Sequence, residues 1–127
     1  MPYTVTVEPQ HRLVRVVYSG TITIAERHAA VQEAMRQQAP VQSRRLLIDL
    51  SAAIPAAEAL DLSNAFATML ATTPLIQDSR LAYVVDPHEH ANRLIENLAS
   101  ARHVALRRFH DSDSALRWLL EDGEDAD

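Results

Sequence analysis

The sequence predicts an α/β domain of order β-β-α-β-α-β-α-β-α, with a mostly parallel five-stranded sheet opened by an N-terminal antiparallel hairpin. Three observations carry this. Two alternating apolar segments at the start are separated by a very short link, which forces an antiparallel pair. Later apolar runs, RRLLIDL at 44–50 and RLAYVVD at 80–86, are nearly continuous, as in strands covered on both faces. Between these runs stand helix-start signals, so strands and helices alternate and the sheet must be largely parallel.

In YTVTVE, Tyr3, Val5 and Val7 share one face and Thr4, Thr6 and Glu8 the other. Pro9 and Gln10 lead into a second strand, where Val14, Val16 and Tyr18 alternate with Leu13, Arg15 and Val17, and Gly20 is expected to end it. Thr23-Ile24-Ala25-Glu26 is a capping box for the first helix. Its inward stripe reads Ile24, His28, Val31 and Met35, with Ala34 beside them, and Pro40 marks its end. His28 is thus expected at the core margin with one ring nitrogen bonded.

The second helix is expected over roughly residues 57–71, burying Leu62, Phe66, Met69 and Leu70, with Pro74 closing it. Tyr83 of the next strand should lie in the core with its hydroxyl satisfied. Asp86-Pro87-His88-Glu89 reads as cap, first-turn proline and capping carboxylate of the third helix, whose inner stripe is Ala91, Leu94, Ile95, Leu98 and Ala101. VALRRF gives the fifth strand. Asp111 or Ser112 caps a last helix that buries Ala115, Leu116 and Leu119, carries Trp118 at its edge and stops at Gly123. Residues 1–121 read as one domain, and 122–127 as an acidic, frayed tail.

Composition removes several chemistries. The 127 residues, 47% hydrophobic and 23% charged, fit a globular domain able to bury a core. With no cysteine, disulfides, thiolate metal sites and cysteine nucleophiles are excluded. All 12 basic residues are arginine, so Schiff-base chemistry and a P-loop lysine are excluded too. Only two glycines are present, and neither a Gly-rich phosphate loop nor a Gly-x-Ser-x-Gly elbow occurs. A net charge of −5, concentrated in the closing EDGEDAD, opposes nucleic-acid binding. No segment resembles a signal peptide or a transmembrane span, so a cytoplasmic location is expected.

The element order, the hairpin ending in Val17-Tyr18-Ser19-Gly20-Thr21-Ile22-Thr23, the strands LLIDLS and LAYVVD, and Phe109-His110-Asp111 followed by Ala115-Leu116-Arg117-Trp118-Leu119 resemble the SpoIIAA-like branch of the STAS superfamily, the domain of sulphate transporters and anti-sigma factor antagonists. The resemblance covers roughly residues 3–121. It implies a protein-interaction or ligand-sensing module rather than an enzyme. In the antagonists, a serine of an Asp-Ser-Ser-Gly motif after the third strand is a phosphorylation switch. Asp61-Leu62-Ser63-Asn64 occupies that neighbourhood but comes later, lacks the paired serine and has no glycine.

Ligands of open α/β sheets bind beyond the carboxyl ends of the parallel strands. There the sequence places Gly20, Thr21 and Thr23; Asp49 and Ser51; Asp86 and His88; and His110, Asp111 and Ser112. Asp49 is expected to accept hydrogen bonds from loop N–H groups, with Ser51 a turn residue. His88 and His90 are two apart, about 200° round a helix, so they cannot face one ion together.

The candidate ligand- or partner-binding residues are Thr21, Asp49, Ser51, Ser63, Asp86, His88, His110 and Trp118; no catalytic residue, metal or cofactor is assigned. The favoured reading is a non-catalytic binding module for a protein partner or a small apolar or anionic ligand, with a homodimer as one option. Its surface would be the gap between the second and third helices, where Ala56, Ala57, Ala59, Ala65, Ala67 and Ala71 leave room. The alternatives are a phospho-regulated antagonist switched at Ser63 and a metal-dependent enzyme using the His88/His110 rim.

Overall fold

The computed structural model describes residues 3–38, 44–56, 58–77, 79–86 and 93–121. β1 (Tyr3–Glu8) and β2 (Leu13–Ile22) pair antiparallel across a 3-10 turn at Pro9–His11. Helix α1 (Ile24–Gln38) leads to β3 (Arg45–Pro55), then α2 (Leu60–Thr72), the short α3 (Pro74–Gln77) and β4 (Arg80–Val84). Next come α4 (Arg93–Ala101), β5 (Ala105–Phe109) and α5 (Ser112–Leu120). The sheet order is β1-β2-β3-β4-β5, parallel from β2 onward. The predicted α/β architecture is therefore observed.

The two sheet faces carry separate cores. Val14, Val16 and Tyr18 of β2, Leu46 and Ile48 of β3 and Leu81 and Tyr83 of β4 pack under α1, α2, α3 and α4. On the opposite face, Leu13, Leu47, Ala82 and Val84 meet Ala115 and Leu119 of α5. This double coverage is why β3 and β4 read as unbroken apolar runs. Toward β1, Thr4, Thr6 and Val17 on the α5 side are exposed, and there the sequence alternates cleanly.

Several local expectations are corrected. Gly20 does not end β2; the strand continues to Ile22, paired with the end of β3 as far as Pro55. Val17 lies opposite Asp49 and Ser19 opposite Ala52, so Leu50 and Ser51 together face Tyr18 in a β-bulge. Gly20 follows this irregularity with φ +71°, a conformation that L side chains resist. Ser51 is consequently a strand residue, not a turn.

On α1 the capping box forms as expected. The Thr23 N–H donates to Glu26 Oε1 at 2.8 Å, and the Glu26 N–H to Thr23 Oγ1 at 3.1 Å. The inward stripe, however, is Arg27, Ala30, Val31 and Ala34, with His28 exposed. Residue 27 lies within about 40° of 31 and 34 on a helical wheel, whereas 28 is about 100° away from 27.

Helix α2 starts at Leu60, later than expected, and Leu62 is exposed instead of buried. Pro74 opens the short α3 as well as following α2, since proline suits a first helical turn. In α4, Ile95 and Ala99 are buried and Ala101 is exposed. Pro40, Ala57, Gly123 and the proposed helix start at 87–92 lie outside the described residues, as do Ala91 and the Leu94 side chain.

Candidate functional site

The carboxyl edge of the sheet is built by the bulge and by the chain exits from β4 and β5. Asp49 Oδ1 accepts from the Ser51 N–H at 2.9 Å and from the Ser51 hydroxyl at 2.6 Å. Asp49 therefore does accept a backbone N–H, but one freed by the bulge inside β3 and not one from a loop. Beside it, the Val85 N–H donates to the Phe109 carbonyl at 2.9 Å, holding the exits of β4 and β5 together. The His110 ring comes within 3.4 Å of the Val85 carbonyl through Nδ1, and Asp86 is exposed next to it. Asp111 caps α5: Oδ1 accepts the Ser114 N–H at 2.7 Å. That bond, with the Ser114 hydroxyl behind it, holds the Asp111 carboxyl below its ordinary value.

The predicted residues thus fall into separate groups. Asp49 and Ser51 touch, and Asp86 and His110 share the β4/β5 exit. Thr21 is exposed and pairs with Ile54 in the part of β2 and β3 that runs beyond the end of β4. Ser63 is the fourth residue of α2, in its first turn and not the second, and is half-buried. His88 and His90 lie outside the described residues, and among those described no three His, Asp or Glu groups are placed to hold a metal ion.

Trp118 does not belong to this rim. It sits on the opposite sheet face with the Arg80 guanidinium 4.0 Å from its ring centroid and Phe109 at 5.6 Å. Arg80 Nη1 also donates to the Trp118 carbonyl at 3.0 Å. Of the alanines, Ala59 and Ala65 are exposed, Ala56 and Ala71 half-buried, and Ala57 lies outside the described residues. Helix α2 packs directly on α4, Ala67 is fully buried, and Arg102 Nη2 donates to Asn64 Oδ1 across the pair at 2.6 Å.

Two features escaped sequence reasoning. The first is a charged and aromatic network under the helices. Arg27 is only 2% exposed; its guanidinium lies 5.3 Å from the Phe66 ring centroid and 5.9 Å from that of Tyr83, and Nη2 reaches the Tyr83 hydroxyl at 3.5 Å. Burial raises the phenol pKa of both Tyr18 and Tyr83, while the nearby Arg27 charge opposes the shift. Glu96, also buried, accepts from Arg108 Nε at 3.0 and 3.2 Å and from Nη2 at 3.0 Å. The available signal was two strand tyrosines whose buried hydroxyls needed a partner from a helix.

The second is apolar. Ile54 at the end of β3 and Leu60 and Leu62 in the first turn of α2 are 66%, 63% and 46% exposed, flanking the connection between the two elements. That segment is tied down by the Ala56 N–H donating to the Ile22 carbonyl and the Ile24 N–H donating to Glu58 Oε2, both at 2.7 Å. Glu58 thereby satisfies a free N–H at the start of α1. An exposed β3–α2 aliphatic set was hidden in the sequence because Leu62 fits the periodicity of a core position.

No protein-family model matches the chain, and no curated protein matches it. Among the described residues, no helix is long and apolar enough to cross a membrane.

Proposed function

We propose that this chain is a non-catalytic binding module of the STAS/SpoIIAA-like type that engages a protein partner through the β3–α2 segment. One observation carries the reading: three large aliphatic side chains, Ile54 of β3 and Leu60 and Leu62 of α2, are exposed on either side of a hydrogen-bonded connection at the carboxyl edge of the sheet. Single exposed aliphatics are ordinary; three within nine residues on an anchored segment are a reason to look for a partner. The position agrees with the resemblance, which puts the partner-sensitive motif of the antagonists after the third strand. The rim beside it supplies hydrogen-bonding groups, Ser51 and Thr21, suited to the polar border of an interface.

The test is a triple substitution, Ile54→Ser, Leu60→Ser and Leu62→Ser, against a control, Thr4→Ala with Thr6→Ala, on the open part of the other face. Partners captured from cell extract are identified, purified and re-measured as a defined pair by calorimetry. The triple variant should lose at least tenfold in affinity while melting like the parent, and the control should bind normally. Equal affinity of parent and triple variant would remove the β3–α2 segment as the binding surface.

A further inference from the structure

The single tryptophan of the chain shares its ring with two arginines on the α5 side of the sheet. The Arg80 guanidinium lies 4.0 Å from the Trp118 ring centroid and the Arg107 guanidinium 5.9 Å. Arg107 is also 5.5 Å from the ring centroid of Phe109. Strand register explains the meeting. Arg80 pairs with Ala105, and Ala82 with Arg107, across β4 and β5. Alternation then puts Arg80 on the α5 face with Ala82 and Val84, and Ala105 and Arg107 on that face with Phe109.

Ala105 is the small residue of this group, and it is exposed. Sheet spacing sets it about 5 Å from Arg80 across the strands and about 7 Å from Arg107 along its own strand. A methyl floor between two long cationic side chains, with the Trp118 indole against both, makes a notch. It opens at the sheet edge that β5 forms.

Neutral groups hold both guanidiniums. Arg80 Nη1 donates to the Trp118 carbonyl at 3.0 Å, and Arg107 rests on the Phe109 and Trp118 rings. Among the described residues, neither forms an ion pair with a carboxylate. Arg108, one residue on but on the other sheet face, is matched with Glu96. An arginine stacked on a ring uses the face of its plane, so its N–H edge stays open to an acceptor lying in that plane. Stacking also removes rotamer freedom before a ligand arrives, which lowers the ordering cost of binding.

We propose that Arg80, Ala105, Arg107 and Trp118 form a binding site for a small phosphate monoester that carries an aromatic group. A phosphoryl dianion matches two guanidiniums in charge and accepts from their N–H edges in pairs. Trp118 and Phe109 are half-buried, which leaves ring surface beside the notch for the ring of the ester. The notch lies on the sheet face opposite α2, so it does not rest on the proposed partner surface.

Trp118 emission reports on this site alone, because the chain has one tryptophan. Phenyl phosphate, inorganic phosphate and phenol are titrated at low salt, followed by that emission and by calorimetry. Phenyl phosphate should bind about threefold tighter than inorganic phosphate, and phenol should not bind. Arg107→Gln should weaken phenyl phosphate about fivefold. Arg117→Gln, which removes an exposed arginine of α5 outside the stack, should change it less than about twofold. Both variants should melt like the parent. Silence of emission and calorimetry with millimolar phenyl phosphate overturns the proposal. So do equal losses in the two variants, the mark of unspecific charge attraction, and equal affinity of the parent for inorganic phosphate, which leaves the rings no part.

Discussion

The Glu96–Arg108 pair joins α4 to β5 and should respond to substitution in a way that separates a buried ion pair from a surface one. Its side chains are 11% and 14% exposed and meet through three N–O contacts of 3.0–3.2 Å. For charges about 4 Å apart in an effective dielectric near 20, the attraction is about 4 kcal/mol. Desolvation of the two ions offsets most of it, so the pair as a whole contributes little. Removing one member leaves the other ion poorly solvated in a site shaped for a pair. Glu96→Leu is expected to cost about 3 kcal/mol, a fall in Tm of about 12 °C for a domain of this size. Glu96→Leu with Arg108→Leu should recover most of that loss and lie within about 1 kcal/mol of the parent. Urea unfolding followed by far-UV circular dichroism measures all three proteins. A Glu96→Leu loss below about 1 kcal/mol that the double variant does not recover would refute the reasoning and class the pair with exposed salt bridges.

Two further outcomes follow from the geometry. Gly20→Ala should cost about 1 kcal/mol in the same assay: a new Cβ would meet nothing within 4 Å, so the loss comes only from holding φ at +71°. The Glu8 carboxyl is held below its ordinary value of 4.5, chiefly by its hydrogen bond from Arg15. A lowered folded-state pKa gives stability that is present above pH 4.5 and lost as pH falls below it; the urea midpoint should drop in that acid range, and Arg15→Gln should flatten the drop.

Local residue patterns settled the architecture. Alternation in β1 and β2, the Thr23–Glu26 box, the apolar runs of β3 and β4 and the Asp111 cap each act through neighbours within a few residues. Such interactions can be read from one sequence because chain geometry fixes which groups meet. The parallel direction of the later strands followed from the same patterns through the connection rules, whereas the sheet order β1-β2-β3-β4-β5 was seen only in the structure. Arg27 shows where this fails: the periodicity put His28 on the inward stripe, whereas the structure buries Arg27 with Ala30, Val31 and Ala34, its guanidinium lying over Phe66 and Tyr83, 39 and 56 positions away. Leu62 fails in the opposite sense, since its periodicity is that of a core residue and only the placement of α2 leaves it exposed.

The rim divides in the same manner. That Asp86 and His110 follow the carboxyl ends of β4 and β5 could be read directly, because strand ends are local features; Asp49, read the same way, lies inside β3, which runs on to Pro55. That Asp49 turns to Ser51, that Trp118 packs at the far end on Arg80, and that Ala67 is buried while Ala65 is exposed depended on register and layer contacts. The sequence by itself determined which segments become strands and helices, since hydrophobic period and capping are short-range. Tertiary structure alone decided which charges are buried, which apolar groups face water and which arginines gather at Trp118. Those outcomes are set by residues far apart in the chain that become neighbours only when the sheet assembles.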